Sequence, residues 1–212
     1  MIKNITYKPV IKSYPEYAHL FSILGNPEKD KDFSKWFSWN FIQLRYDTSA
    51  DVDEALFFEK DVEECTIYRC SLLEKLIFEK KMFKTELEFR EMVSCYLNEG
   101  YYIIVILDHY YIPFDKSHYH KFHQNHECLI CGIDTEKQIY LIQDFFNGTY
   151  SACEINQTDI WEAYTKHHDY DIFDDENIYL FRKKSANNIS RLPFQKAKIK
   201  SQFENYFSFL KR

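Results

Sequence analysis

His126 and Asp144 have the residue types and the spacing of a general base and the carboxylate that orients it. His126 begins the apolar segment 126–132, and Asp144 ends the apolar segment 138–144, 18 positions later (144 − 126). The polar turn 134–137 lies between the two segments. A β-hairpin over these segments brings His126 and Asp144 side by side. The Asp144 carboxylate can then accept the Nδ1–H of His126, which fixes the tautomer and leaves Nε2 to take a proton. The alternative is structural: a strand-end histidine beside an aspartate that caps a turn.

Covalent catalysis also needs a nucleophile, which the hairpin does not supply. Cys128 shares a strand face with His126, but a side chain two residues along a strand points parallel to the histidine. We therefore predict that Cys128 is a core thiol. Cys65 and Cys70 flank a polar segment, and they are also expected to be small buried thiols.

Several potential zinc ligands occur close together: His118, His120, His123, His126, Cys128 and Cys131. Zinc binds histidine and cysteine in such clusters. However, Cys128 and Cys131 fall on opposite faces of a strand, and so cannot form a zinc knuckle. We predict no metal site and no cofactor.

The central segment resembles a known family. Residues 100–107 are an apolar strand, followed by the turn Asp108-His109-Tyr110-Tyr111-Ile112-Pro113, a histidine-rich connection over 118–123, and then His126, the turn 132–134 and Asp144. This pattern resembles the N-terminal domain of the butirosin biosynthesis protein H family, relatives of the bacteriocin leader-processing cysteine peptidases. The first helix resembles the family's first helix more loosely.

The resemblance implies a papain-like fold and acyl transfer from a carrier-protein thioester to an amine. The family's nucleophile is a cysteine near the start of the first helix, where the helix N-terminus lowers a thiol pKa. This chain has no cysteine before Cys65, so Ser13 and Tyr17 are the candidates for the nucleophile position.

By the same resemblance, His126 and Asp144 are the catalytic base and its orienter. Asp108, His109 and Tyr111 are candidates to line a substrate cleft, although an aspartate at position 108 is also typical of a turn. The implied function is an acyltransferase-like or peptidase-like accessory protein of bacterial specialised-metabolite biosynthesis, of the nonribosomal peptide or aminoglycoside type. Its partner would be an acyl or peptidyl carrier protein or a synthetase module. The alternative is an inactive papain-like binding module that has lost its cysteine nucleophile.

The local patterns predict an α+β fold, with helices packed on an antiparallel sheet. The motif Ser13-Tyr14-Pro15-Glu16 is typical of a capping box that opens a helix, and Gly25 of its end. The predicted helices are 14–24, 72–83, one from Thr85 to a stop at Gly100, and one capped by Thr158. The predicted strands are 41–46, 101–107, the two hairpin segments and 177–182. We expect one papain-like domain over residues 1–184 and a helical extension over 185–212.

Composition narrows the function classes. The 212 residues carry a net charge of −6, which does not favour a nucleic-acid partner, because phosphate binding needs a dense positive field. No apolar run has the length of a signal peptide or a membrane span, so we expect a cytoplasmic protein with no membrane contact. The six cysteines are accordingly expected to be reduced.

Overall fold

Nine strands form two antiparallel sheets in the part of the chain that the computed structural model describes. That part covers residues 1–12, 14–40, 45–46, 56–57, 66–166 and 177–185, with isolated positions 196, 197, 200 and 204. The strands are β1 (Ile2–Lys3), β2 (Arg45–Tyr46), β3 (Leu56–Phe57), β4 (Leu73–Glu79), β5 (Tyr102–Asp108), β6 (Asn125–Asp134), β7 (Ile139–Phe146), β8 (Thr149–Asn156) and β9 (Asn177–Lys183). The main sheet has the order β4-β9-β5-β6-β7-β8, β1 pairs with the end of β6, and β2 pairs with β3.

Helices cover both faces of the main sheet. Within the continuous described ranges, the α-helices are α1 (Pro15–Leu24), α2 (Lys31–Asn40), α3 (Glu86–Asn98) and α4 (Gln157–Thr165), and short 3₁₀ turns lie at Ile67–Arg69, Lys80–Met82 and His109–Tyr111. Helices α1 and α2 share a core with Ile104 and Leu129. Helices α3 and α4 share the other core with Ile103 and Cys128. Neighbouring residues of β5 and β6 therefore serve opposite layers, as the two-residue period of a strand requires.

Strands β6, β7 and β8 form the meander that carries the candidate site. Asp134 ends β6, and its carboxylate accepts hydrogen bonds from the backbone N–H groups of Glu136 and Lys137, which organises the first turn. The second turn contains Asn147 and Gly148, both with positive φ, the conformation that favours an Asn-Gly hairpin. Gly132 sits at a β-bulge, where a Cβ would lie 3.1 Å from a backbone oxygen of β1.

The structure confirms the α+β prediction and several elements. Helix α3 forms from Thr85 to the stop before Gly100 as predicted, and a capping box opens it, because Thr85 and Glu88 each accept a hydrogen bond from the other's backbone N–H. Strands β5 and β9 and the β6–β7 hairpin also form where predicted. The papain-like assignment stays a prediction.

Other predictions are wrong. Residues 72–83 form strand β4 and a 3₁₀ turn in place of a helix. Helix α1 starts at Pro15 with Tyr14 at the N-cap and no side-chain cap, so the predicted capping box is absent. Helix α4 starts before Thr158, with Asn156 at its N-cap. The sequence analysis also missed α2 and β8.

Some predictions lie outside the described residues. They are Ser13, residues 41–44 of the predicted strand 41–46, Cys65, and the helical tail apart from its four isolated positions. The boundary between residues 184 and 185 therefore stays a prediction.

Candidate functional site

The predicted His–Asp contact lies at one end of the β6–β7 pair. His126 is the second residue of β6, and its Nδ1 lies 2.6 Å from Oδ2 of Asp144 on β7. The Asp144 side chain is completely buried, whereas 21% of the His126 side chain is exposed. The predicted contact is thus confirmed. It leaves Nε2 as the His126 nitrogen for proton transfer.

The electrostatics of this pair favour an ionised aspartate beside a protonated imidazole. Burial by itself would lower the pKa of His126, but the hydrogen bond to Asp144 and its charge outweigh burial and raise that pKa. Burial also opposes ionisation of Asp144, yet hydrogen bonds from His109 and His126 hold the pKa of its carboxyl well below the usual range. A general base needs this arrangement once it has taken up a proton.

Two further donors, which the sequence analysis did not predict, reach the same oxygen of Asp144. His109 Nε2 lies 3.1 Å from Oδ2, and the Cys128 thiol donates to it at 3.1 Å. Cys128 Sγ also lies 3.6 Å from His109 Nε2. The other carboxylate oxygen, Oδ1, is buried and has no hydrogen-bond partner in the described part of the chain. The hydrogen bonds to Asp144 are therefore concentrated on one atom.

The hydrogen-bonded chain continues beyond His109. Its Nδ1 lies 2.8 Å from Oδ2 of Asp115, which also contacts Nδ1 of the partly exposed His118 at 2.9 Å. Burial opposes ionisation of Asp115, but hydrogen bonds from His109 and His118 lower its pKa. The buried His109 ring therefore bridges two buried carboxylates, with Nδ1 at Asp115 and Nε2 at Asp144.

Polar contacts also fix helix α1 against the meander. His19 is fully buried; its Nε2 donates to the Glu127 carbonyl at 3.0 Å, and its Nδ1 lies 2.9 Å from the Tyr150 hydroxyl. The Ser22 hydroxyl lies 3.1 Å from the same Tyr150 oxygen. Burial lowers the pKa of His19 to about 4, so the ring is neutral near pH 7. The neutral ring donates from Nε2 and accepts from Tyr150.

A carboxyl group that titrates near neutrality lies next to His126 in sequence. Burial raises the pKa of Glu127 to about 7, although the hydrogen bond from the Tyr68 hydroxyl opposes that rise. The charge of Glu16, in the first turn of α1, also contributes to the raised pKa. Burial in turn raises the pKa of Glu16. The start of α1 therefore lies near the start of β6, as the resemblance implies.

The nucleophile candidates have different outcomes. Ser13 lies outside the described residues. Tyr17 is half-buried on α1, and its ring packs edge-on against Tyr14 with centroids 6.1 Å apart. Among the described residues, Asp144 is the only side chain hydrogen-bonded to the His126 ring. Cys128 is buried as predicted, and burial beside Asp144 raises its thiol pKa well above the ordinary value, which disfavours a thiolate.

The cleft candidates differ in their accessibility. Asp108 is completely buried and accepts hydrogen bonds from the backbone N–H groups of Tyr110 and Gln124 and from His123 Nδ1, which is the turn role considered as its alternative. His109 is buried in the chain described above. Tyr111 is half-buried, with Lys166 Nζ 5.7 Å from its ring centroid. Of the three, only Tyr111 reaches the surface.

Two groups of side chains are close enough to share a metal ion. In each group the potential ligand atoms lie within 4.8 Å of one another: His109, Asp115 and His118 in the first, and His109, Cys128 and Asp144 in the second. The histidines of the connection are not gathered in one place, because His118, His123 and His126 contact three different carboxylates. Cys128 and Cys131 lie in opposite cores, as predicted.

Comparison with protein-family models and with curated proteins finds no match to this chain. The resemblance to the butirosin biosynthesis protein H family therefore stays a prediction. In the described part of the chain, none of the helices is long and apolar enough to cross a membrane.

Proposed function

We propose that this chain is a papain-like acyltransferase or peptidase-like accessory protein of bacterial specialised-metabolite biosynthesis, of the nonribosomal peptide or aminoglycoside type. It acts on an acyl or peptidyl group held by a carrier protein or a synthetase module. His126 is the general base, and Asp144 orients it. The fold, the substrate and the partner in this proposal come from the sequence resemblance.

One observation carries the catalytic part of the proposal: the 2.6 Å contact between a buried carboxylate and a histidine that is partly open to solvent. Asp144 fixes the Nδ1–H tautomer of His126. Nε2 can then take a proton from the attacking group and return it to the departing thiolate of the carrier. Helix α1 packs against β6 next to this histidine, through the His19 contact with the Glu127 carbonyl, which supports a nucleophile at the start of α1, at Ser13 or Tyr17.

The experiment is intact-mass analysis after incubation with an acyl-thioester probe. We expect one acyl adduct on the wild-type chain and loss of the adduct in His126→Ala. Peptide mapping then identifies the nucleophile, and Ser13→Ala or Tyr17→Phe must remove the adduct if the mapped residue is correct. An adduct that persists in His126→Ala would count against His126 as the base.

The chain offers a matched control. His123 forms a second pair at 2.6 Å, with the buried carboxylate of Asp108, and it is also partly exposed. His123→Ala therefore removes a histidine from an equivalent contact outside the proposed site. We expect this variant to form the adduct at the wild-type rate. An equal loss in both variants would indicate a general structural defect.

The second candidate function is a binding module without catalysis. It is favoured by the finding that, among the described residues, no side-chain hydroxyl or thiol is hydrogen-bonded to the His126 ring, whose side-chain partner is Asp144. In that case the acyl-thioester probe leaves no adduct, while an acylated carrier protein still binds saturably. The His126→Ala variant then binds the acylated carrier protein with wild-type affinity, and neither protein turns over the thioester.

A further inference from the structure

We propose that His109, Cys128 and Asp144 form a buried site for a zinc-class divalent transition metal. The ligands are His109 Nε2, Cys128 Sγ and Asp144 Oδ2, one nitrogen, one sulfur and one carboxylate oxygen. All three residues are at most 1% exposed. The site does not depend on acyl transfer, and a metal bound there is compatible with either proposed function.

The distances between the three atoms fit corners of a tetrahedron. Zinc bond lengths place two nitrogen or oxygen ligands about 3.3 Å apart, and sulfur about 3.6 Å from either. Here Nε2 lies 3.1 Å from Oδ2, and Sγ lies 3.6 Å from Nε2 and 3.1 Å from Oδ2. For zinc to bind, the sulfur–oxygen pair has to widen by about 0.5 Å and the nitrogen–oxygen pair by about 0.2 Å, while the sulfur–nitrogen pair already fits.

The surroundings of His109 are those of a metal ligand. Metal-binding histidines almost always donate their second ring N–H to a carboxylate, a carbonyl or a water. His109 has that partner, because its Nδ1 lies 2.8 Å from buried Asp115. Asp115 is fixed in turn by the Ser117 backbone N–H and by His118. The ring is thus already held with Nε2 directed at Cys128 and Asp144.

The ligand set matches the charge of a divalent ion. With a 2+ ion bound, neutral imidazole, the Cys128 thiolate and the Asp144 carboxylate give a sum of zero, so the loaded site holds no uncompensated charge in the core, which would be costly. Cysteine binds a metal as the thiolate, so the Cys128 proton is released when the ion binds.

The carboxylate of Asp144 provides a second, independent observation. Three donors converge on Oδ2, while buried Oδ1 has no partner among the described residues. Once His109 and Cys128 bind the metal, they no longer donate to Oδ2, which then serves the metal and His126 alone. The alternative group of His109, Asp115 and His118 fits less well, since both histidine Nδ1 atoms lie closer to Asp115 Oδ2, at 2.8 and 2.9 Å, than the about 3.3 Å that zinc requires.

Cobalt(II) is the probe, because thiolate ligation to cobalt gives a charge-transfer band in the near ultraviolet. The full chain is treated with a chelator, and Co²⁺ is then added to the native protein and, separately, during refolding. We expect one tightly bound Co²⁺ per chain with the thiolate band, and release of protons on binding in unbuffered solution. Absence of the thiolate band from the wild-type chain, both in the native protein and after refolding with Co²⁺, would overturn the proposal.

Variants locate the ion. Cys128→Ala must lose the band, while Cys131→Ala, a matched buried thiol of the same strand in the opposite core, must keep it. Cys95→Ser removes the exposed thiol and must also keep it. Asp115→Asn is expected to weaken Co²⁺ binding about 10–100-fold. Loss of binding in His118→Ala with retention in Cys128→Ala would overturn the proposal in favour of the other group. Circular dichroism verifies folding of each variant.

Discussion

At the scale of single residues, His19 makes folding sensitive to acid. An exposed histidine in the unfolded chain has a pKa of about 6.5, whereas burial holds the pKa of His19 at about 4 in the folded chain. As pH falls below about 6.5, the unfolded chain takes up a proton that the folded chain does not. The contribution of His19 to stability is therefore present above that pH and is lost as pH falls toward 4.

We predict that His19→Gln reduces this acid sensitivity. Between pH 7 and 4.5 the wild-type chain should lose about 2 to 3 kcal/mol of unfolding free energy at this residue, from the difference of the two pKa values. The Gln side chain cannot titrate and can still donate to the Glu127 carbonyl. Urea unfolding at both pH values measures the effect, with His120→Gln as the exposed control. The same pH-dependent loss in wild type and His19→Gln would contradict the prediction.

The sequence was sufficient for some site residues and insufficient for others. His126 and Asp144 were predictable because a hairpin, which is local in sequence, brings them together. His109 and Asp115 join the hydrogen-bond network around Asp144 Oδ2. They lie in a connection whose sequence has neither helical nor strand periodicity, so their positions were not predictable. A signal was present in Asp108-His109 at the end of a buried strand, but it predicted a cleft. His19 is buried because α1 docks against β6, which lies over 100 residues later in the sequence. No local sequence pattern reveals that contact.

At the scale of elements, the start of α3 is the most completely satisfied helix end. The Thr85 hydroxyl accepts from the Glu88 backbone N–H at 3.2 Å, and Glu88 accepts from the Thr85 backbone N–H at 3.0 Å. Substitution of an N-cap threonine by alanine costs about 1 kcal/mol. We predict this loss for Thr85→Ala in urea unfolding. Thr149→Ala, an exposed strand residue, is the control, and equal stabilities of the two variants would refute a role for the cap.

Two strands show why element prediction failed in places. In the described residues, strand β4 pairs with β9 alone, about 100 residues later in the sequence. Most of its side chains are exposed, so the strand lacks a clear apolar alternation. Its charged and leucine-rich sequence therefore favoured the prediction of a helix. Strand β8 had a readable signal. Asn147-Gly148 is a strong hairpin signal, and the burial of β8 alternates from Ala152 to Asn156. Its polar residues hid the alternation of apolar side chains.

At the scale of the whole molecule, the main sheet joins two helical layers through shared strands. Ile103 and Ile104 are neighbours on β5, yet they belong to opposite cores. Loss of one strand therefore removes support from both layers at once. We infer that the described fold unfolds as one cooperative unit, in which damage to one core is felt in the other.

This inference predicts the behaviour of Phe89→Ala. Phe89 is fully buried on α3 and stacks on Tyr164 of α4 with ring centroids 4.6 Å apart. Its truncation should lower the unfolding free energy by about 3–5 kcal/mol. In a Trp39→Phe, Trp161→Phe background, the remaining tryptophan fluorescence comes from Trp36 of α2, which is buried in the opposite core.

The fluorescence of α2 should then report the same shift in urea midpoint as circular dichroism of the whole chain. Phe122→Ala, with a side chain that is 66% exposed, is the matched control and should leave both midpoints unchanged. If Phe89→Ala shifts the dichroism midpoint but not the fluorescence midpoint, the two layers unfold separately. The shared strands would then fail to couple the cores, because α1 and α2 could keep their packing after α3 and α4 had been lost.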